Sequence, residues 1–560
     1  MRGVIFDFLR KFRRKYWLKM SGVNVDAPIG IQCLQRLSGW CCPRLQFNRL
    51  RCYQISILVL TYFTYMTYHL TRKPISVVKS VLHQNCSNLV PPPDVDPTDD
   101  QWCNWAPFNT TDANTLLGAL DSAFLFTYAA AMFVSGMVAE RVDLRYFLSL
   151  GMLFSATFCY LFGIGRTYDI HNILVCDIHH MSYYLLVQAG AGISQTTGWP
   201  GTVATVGKWF GNSKKGLIFG IWNSHTSLGN ILGTLIADRF VEQDWALSFI
   251  YPALVMGVVA TFVFLFLAPE PRAVGVVLPD RTPVSVQADS RSHVGRHLSD
   301  TNRMLQAASL RPNRHSANSQ PAHDEPTEST ALLRPPPAQV PGAVSLSRAL
   351  RIPGVLEFSM SLFFAKLVSY TFLYWLPLYI NTSTNLTPTQ SGDLSTAFDV
   401  GGITGAILAG LVADCTGCPG LVCVCFYILC APTLLAYQAW GASSYLLNVG
   451  LLLAAGVLVN GPYALITTAV SAELGTHSSL AGNAHALATV TAIIDGTGSV
   501  GAALGPLLAG VVSSGGAAAW PRVFYMLIAC DLLALLLLLR SVSHTSRPTV
   551  CTTALVCILH

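Results

Sequence analysis

The sequence predicts an all-α membrane protein whose twelve transmembrane helices form two pseudosymmetric six-helix bundles. Three observations predict it. Of 560 residues, 52% are apolar and only 11% charged, against about 25% charged in soluble domains. Twelve stretches are long and apolar enough for a bilayer crossing, which takes about 20 residues at 1.5 Å rise each. Short residue patterns also recur in the two halves in the same order. This composition excludes a disordered chain, a nucleic-acid-binding domain and an ordinary cytosolic enzyme. The net charge of +6 calls for no acidic or nucleic-acid partner; the partner it implies is the lipid bilayer.

Residues 1–51 read as an N-terminal extension. The first twenty are basic (Arg2, Arg10, Lys11, Arg13, Arg14, Lys15, Lys19) without a continuous apolar run, so no cleaved signal peptide is expected. Val4, Phe6, Leu9 and Phe12 permit a short interfacial helix. The N-terminal bundle covers 52–268, with spans at 52–82, 115–139, 144–166, 181–207, 215–238 and 245–268. Residues 269–354, rich in Pro, Ser, Arg and His, read as a disordered linker. The C-terminal bundle covers 355–541, with spans at 355–380, 391–412, 419–440, 444–470, 481–512 and 521–541. Residues 542–560 form a tail. Its last four, Cys557 to His560, imitate a prenylation box but end in an unusual His.

Basic residues set the expected sidedness. The linker region carries ten Arg between 272 and 351, the loop after span four Lys208, Lys214 and Lys215, and the loop after span two Arg141 and Arg145. Twelve crossings put all three on one face, and excess Lys and Arg marks the cytosol. All four glycosylation sequons, at Asn85, Asn109, Asn381 and Asn385, fall on the other face. Both termini are then expected in the cytosol.

The halves repeat each other. Gly118 and Gly136 in span two match Gly392 and Gly410 in span eight, with Ala123-Phe124 matching Ala397-Phe398. Ser227-Leu228-Gly229 with Leu232-Gly233 in span five matches Ser499-Val500-Gly501 with Leu504-Gly505 in span eleven. Small residues at such spacing let helices approach closely. Two parallel six-span halves imply a transporter with a central site that rocks between faces.

Charges within the spans are the candidate site. Lys366 is the one lysine after Lys215 and lies in the apolar run Leu362 to Val368. An ammonium there costs at least about 2.5–3.5 kcal/mol unless paired or facing water. Two readings fit: a ligand contact, or an ion pair with Asp399 or Asp495. In span one, Tyr65, His69 and Arg72 fall at i, i+4 and i+7, on one helix face. Tyr68 lies one turn from Arg72, and Lys73 follows. A guanidinium beside phenol and imidazole groups suits phosphate or carboxylate. The other reading ends span one at Leu70 and makes Arg72-Lys73 an interfacial anchor, although an apolar pattern continues beyond Pro74. His225 in span five and His485 in span eleven fit packing or ligand contact alike. His171, His179 and His180 share one short loop.

Most of the sixteen Cys lie in apolar runs, where a thiol acts as a small hydrophobe. Cys86 and Cys103 share one polar loop and fit a disulfide if that loop faces an oxidising lumen. Cys415 and Cys418 form a lone CxxC, too little for a metal site. No nucleophile–base or metal-ligand constellation stands out, so an enzyme, a metal and a cofactor are not expected.

Several stretches carry a resemblance. Arg72-Lys73, Gln195-Thr196-Thr197-Gly198-Trp199-Pro200, Lys208-Trp209-Phe210 and Trp222-Asn223-Ser224-His225 resemble the organophosphate:phosphate antiporters of the major facilitator superfamily. Ala365 to Tyr370, Gly461-Pro462-Tyr463 and Gly482 to Ala486 are similar to that family's vertebrate sugar phosphate exchangers. The resemblance, over roughly 50–540, implies the major facilitator fold and exchange of glucose 6-phosphate or a related sugar phosphate for inorganic phosphate, without a cofactor. It implies that Arg72 reads the phosphate from one half, that His225 lies near the central cavity, and that a basic residue in span seven completes the site. Tyr65, Tyr68, His69, Lys73, Trp199 and Asn223 are expected around them. Ser369 stands where bacterial members carry their span-seven base, and Lys366 is one turn earlier. Two unpaired cations, Arg72 and Lys366, are therefore expected in the empty site. The family resemblance also implies the endoplasmic reticulum membrane. The alternative is a lysosomal or plasma-membrane transporter of another organic anion, or a proton-coupled one using Asp399, Asp495 or His225. The preferred sugar and the oligomeric state have no signature.

Overall fold

The structure, a computed structural model, describes residues 27–41, 49–84, 86, 101–139, 141–167, 181–210, 221–276, 350–471, 474, 485–515 and 517–545. The sequon at Asn85, the basic stretch 1–20, most of the linker, the loop histidines and most of the C-terminal tail lie outside these residues. All described helices belong to one compact unit.

The described helices follow in the order expected for the twelve spans, and nine of them are long and apolar enough to cross a membrane. Span one is broken into Arg49–Arg72 and Pro74–Leu82. Pro74 has no N–H to continue the helix, and Ser76 N–H bonds Lys73 O at 3.0 Å to restart it. Arg72 and Lys73 are both buried, and the helix runs on beyond them, so the interfacial-anchor reading fails. Span two is Ala113–Ala139, span three Leu144–Thr167. Span four is also broken, into Met181–Gln195 and Gly198–Phe210. Here Pro200 cannot bond the Thr196 carbonyl, and Ser135 Oγ of span two donates to it instead at 2.9 Å. Span five contains His225–Val241 and span six Trp245–Phe266.

In the second half, span seven is one helix, Val355–Ser383. Span eight, Pro388–Thr416, opens on a Thr387/Gln390 capping box with Pro388 at its first position and closes at Gly417, whose φ is 64°. Spans nine to twelve are Pro419–Trp440, Tyr445–Leu465 with a π-turn at Ile466–Val470, His485–Ser513 and Trp520–Thr545. Outside the spans, a helix at Ile29–Cys41 packs on span six. No sequence signal pointed to it; the interfacial pattern sits further upstream. Cys86 and Cys103 form a disulfide.

The repeat is physical. A Cβ at Gly229 would strike Met66 O, and one at Gly233 would lie 2.7 Å from Leu70 O. In the other half a Cβ at Gly501 would strike Phe363 O, and one at Gly505 would lie 2.5 Å from Leu367 O. Spans five and one therefore pack as spans eleven and seven do, with glycine on carbonyl in the same register. By that register Ser369 is the counterpart of Arg72, and Lys366 the counterpart of His69.

The halves meet through spans two and eleven, five and eight, and the second segment of span one against span seven. Polar bonds between them gather toward one end, that of the connections after spans one and seven. Asn114 Nδ2 donates to Ser513 O at 3.1 Å, Thr389 N–H to Glu242 Oε1 at 3.2 Å, and Thr389 Oγ1 to Asp238 O at 3.2 Å. The halves are closed on each other at that end.

Candidate functional site

Arg72 is set by the break in span one. It is 4% exposed. Its Nε donates to Gln195 Oε1 of span four at 2.5 Å, and Gln195 is held in turn by a bond to Thr71 Oγ1 at 3.2 Å. The guanidinium carbon lies 5.6 Å from the Phe124 ring centroid and 4.9 Å from that of Tyr128. Ring faces offset part of the burial cost. No carboxylate pairs with this arginine among the described residues, and its buried Nη2 has no hydrogen-bond partner there. A desolvated guanidinium with a free N–H edge is an anion receptor. It lines a cavity inside the N-terminal half with Ser155, Gln188, Gln195 and, from span seven, Tyr374.

The other cations are committed. Lys366 Nζ donates to Asp495 Oδ1 of span eleven at 2.7 Å and lies 3.5 Å from Ser499 Oγ. Both partners are largely buried. The expectation of two unpaired cations is thus corrected: among the expected site cations only Arg72 lacks a carboxylate. Of the two acids weighed for Lys366, Asp495 is the partner. Asp399 instead faces Lys73, 4.0 Å away. Lys73 Nζ also donates across the halves to Leu373 O at 3.1 Å.

Asp399 ties this charge into a network. Asn230 Nδ2 of span five donates to Asp399 Oδ1 at 2.8 Å, and Asn230 Oδ1 meets His69 Nδ1 at 3.1 Å. A second buried pair, Lys79 with Asp121, lies further along span one. Lys79 Nζ also donates to Tyr374 O at 3.1 Å and sits 3.9 Å from the Trp375 ring centroid. Sequence reasoning missed it. Its signal was a lysine inside the apolar run Ile75 to Leu82, with an acid in the apolar run of span two.

The remaining candidates form an aromatic wall. The Tyr65 ring lies 4.7 Å from His225, 5.2 Å from Trp199 and 5.3 Å from His69. Trp222 lies edge-on to His225 at 4.5 Å. His225 is fully buried; its Nδ1 meets Thr226 Oγ1 at 3.2 Å, and its Nε2 has no partner among the described residues. Tyr68 bonds Thr197 Oγ1 at 2.7 Å. Asn223 lines a second cavity between spans five, seven, eight and ten. The side chain of His485 lies outside the described residues.

The chain is similar to known transporters along most of its length. A family model described as Major Facilitator Superfamily matches residues 102–490 and 358–550. A zebrafish (Danio rerio) protein, glucose-6-phosphate exchanger SLC37A2, is 51% identical over 502 residues, covering 90% of this chain and 94% of its own. The human (Homo sapiens) protein of that name is 48% identical, with 89% and 93% covered. Human glucose-6-phosphate exchanger SLC37A1 is 44% identical, with 89% and 94% covered. Among solved structures, a bacterial homologue of the human lysosomal transporter Spinster superposes with a TM-score of 0.57 at 13% identity, covering 88% of this chain and 97% of its own. That likeness concerns the fold alone.

Proposed function

Because the chain belongs to the major facilitator superfamily and, within it, to the sugar phosphate exchanger family, we propose that it exchanges glucose 6-phosphate, or a related sugar phosphate, for inorganic phosphate by alternating access of its two halves. The observation that carries this reading is Arg72: a buried guanidinium, positioned by Gln195, with a free N–H edge and, among the described residues, no acid to neutralise it.

The phosphate dianion supplies the missing charge. An empty site leaves a desolvated cation uncompensated as the halves close, and that is unfavourable. A bound dianion removes the penalty, so the loaded protein crosses between states more readily than the empty one. Obligatory exchange follows, with no cofactor and no bond made or broken, hence no enzyme activity. Tyr65, His69, His225, Trp199 and Asn223 shape the space around the substrate. Lys366 takes part through its ion pair: Asp495 holds the ammonium until a phosphate oxygen competes for it.

We place the protein in the endoplasmic reticulum membrane, with both termini and 269–354 in the cytosol. The Cys86–Cys103 disulfide supports an oxidising compartment at the end that carries it, and the basic loops support the cytosol at the other. The domain limits 1–51, 52–268, 269–354, 355–541 and 542–560 follow that layout. The test is uptake of labelled phosphate into proteoliposomes preloaded with phosphate, with glucose 6-phosphate as competitor. Uptake that needs internal phosphate and is blocked by glucose 6-phosphate supports the reading; uptake into empty vesicles at the same rate rejects exchange.

A further inference from the structure

We propose that the second cavity, between spans five, seven, eight and ten, is a hydroxyl-binding subsite that takes the sugar ring of the substrate, with Asn460, Ser369 and Ser227 as its specificity-determining residues. This rests on the exchanger reading above and adds where the uncharged part of the substrate lies. Two observations carry it.

The first is the chemistry of the wall. Its titratable groups are already used: Asp399 holds Asn230 and faces Lys73, and His69 holds Asn230. What remains is neutral and bifunctional. Ser369 Oγ donates to Asn460 Oδ1 at 2.8 Å, which leaves the serine oxygen as an acceptor. Asn460 Nδ2 spends one hydrogen on Gly456 O at 3.2 Å, which leaves its second N–H. Asn223 and Ser227 line the same space. A bare anion needs donors only. Vicinal hydroxyls, each donor and acceptor at once, need this mixture, and the Tyr370 and Phe398 side chains beside it suit the apolar face of a pyranose.

The second is the floor. Gly402 has no side chain, and a Cβ there would lie 2.8 Å from Asn460 Nδ2 and 3.1 Å from Ser227 Oγ. Ser227 belongs to the first half and Asn460 to the second. One polar group from each half thus closes on Gly402, and a hydroxyl bonded to both would bridge the halves. The subsite also adjoins the phosphate receptor. His69 lines this cavity and Arg72 the neighbouring one, three residues apart on one helix, a rise of about 4.5 Å.

The experiment measures half-inhibition of labelled-phosphate counterflow by glucose 6-phosphate and, separately, by unlabelled phosphate, in proteoliposomes of the full chain. Asn460→Leu and Gly402→Ala should each raise the glucose 6-phosphate value about tenfold relative to the phosphate value. Ser369→Ala, which removes a single hydroxyl, is run alongside so that a variant failing to fold does not decide the matter; it should raise that ratio about threefold. Equal shifts for both competitors in every active variant, or no shift, would overturn the subsite while leaving the exchanger reading intact. A wild-type protein that exchanges phosphate but ignores glucose 6-phosphate would remove that substrate, and the subsite with it.

Discussion

Arg72 and Lys366 differ less in position than in company, and company decides what each substitution does. Arg72 has no acid partner among the described residues, so Arg72→Lys keeps the charge but loses the planar fork and the bond to Gln195. A charge-assisted hydrogen bond contributes about 1.5–3 kcal/mol, so phosphate counterflow should fall roughly ten- to a hundredfold with the protein still folded. Wild-type counterflow by Arg72→Lys would remove the receptor. Lys366 is paired, so Lys366→Ala strands Asp495 in a largely buried site. Breaking such a pair costs about 3–5 kcal/mol, and a drop in thermal stability should show it. Adding Asp495→Asn should restore most of that stability. If transport returns with it, Lys366 only holds helices together; if stability returns without transport, the ammonium also serves the substrate. Lys366 was legible in the sequence because an ammonium in an apolar run must be compensated. Its choice of Asp495 over Asp399 was not, since both acids sit in apolar spans and only packing separates them.

Spans one, four and five carry most of the site, and they are the helices that depart most from a plain apolar crossing. Nine described helices are long and apolar enough to cross a membrane by length and composition, and these three are not among them. Span one carries Arg72, Lys73 and Lys79, span four breaks before Gly198-Trp199-Pro200, and the helix from His225 holds Asn230 and Asp238. Their existence was readable from charge, proline and flanking apolar residues. Where they break was not, because the break depends on distant groups such as Ser135 that satisfy the freed carbonyl. The duplication was readable as a glycine pattern, and its meaning is now mechanical. Gly229→Val and Gly501→Val should each push a side chain into a carbonyl of the facing helix. Overpacking costs about 1–3 kcal/mol, and rigid backbone cannot yield as a side chain does. Both variants should lower the melting temperature by similar amounts; a neutral Gly501→Val beside a damaging Gly229→Val would deny that the two packings are equivalent.

At the scale of the molecule, one end is closed by bonds between the halves, and transport must open it. A cysteine pair at Asn114 and Ser513, which now bond each other across the halves, should stop counterflow when joined by a short cleavable thiol reagent and recover when the link is cut. Undiminished transport by the joined protein would mean that this end does not part. Sidedness has its own measurement. At least one of Asn85, Asn109, Asn381 and Asn385 should carry glycan, and protease added to sealed microsomes should cut within 270–350 and spare 83–114. Protection of 270–350 would invert the topology.

The closed end also holds an optical consequence. The Lys79 ammonium rests 3.9 Å from the centre of the Trp375 ring and bonds the carbonyl of Tyr374, so a charge from the first half sits on an indole of the second. Indole emission responds to a nearby charge and to water. Parting the halves removes the first and admits the second at the same residue. The protein therefore carries its own fluorophore for the opening step. The emission change on adding phosphate, taken as the difference between wild type and Trp375→Phe, would time that step in an unlabelled chain.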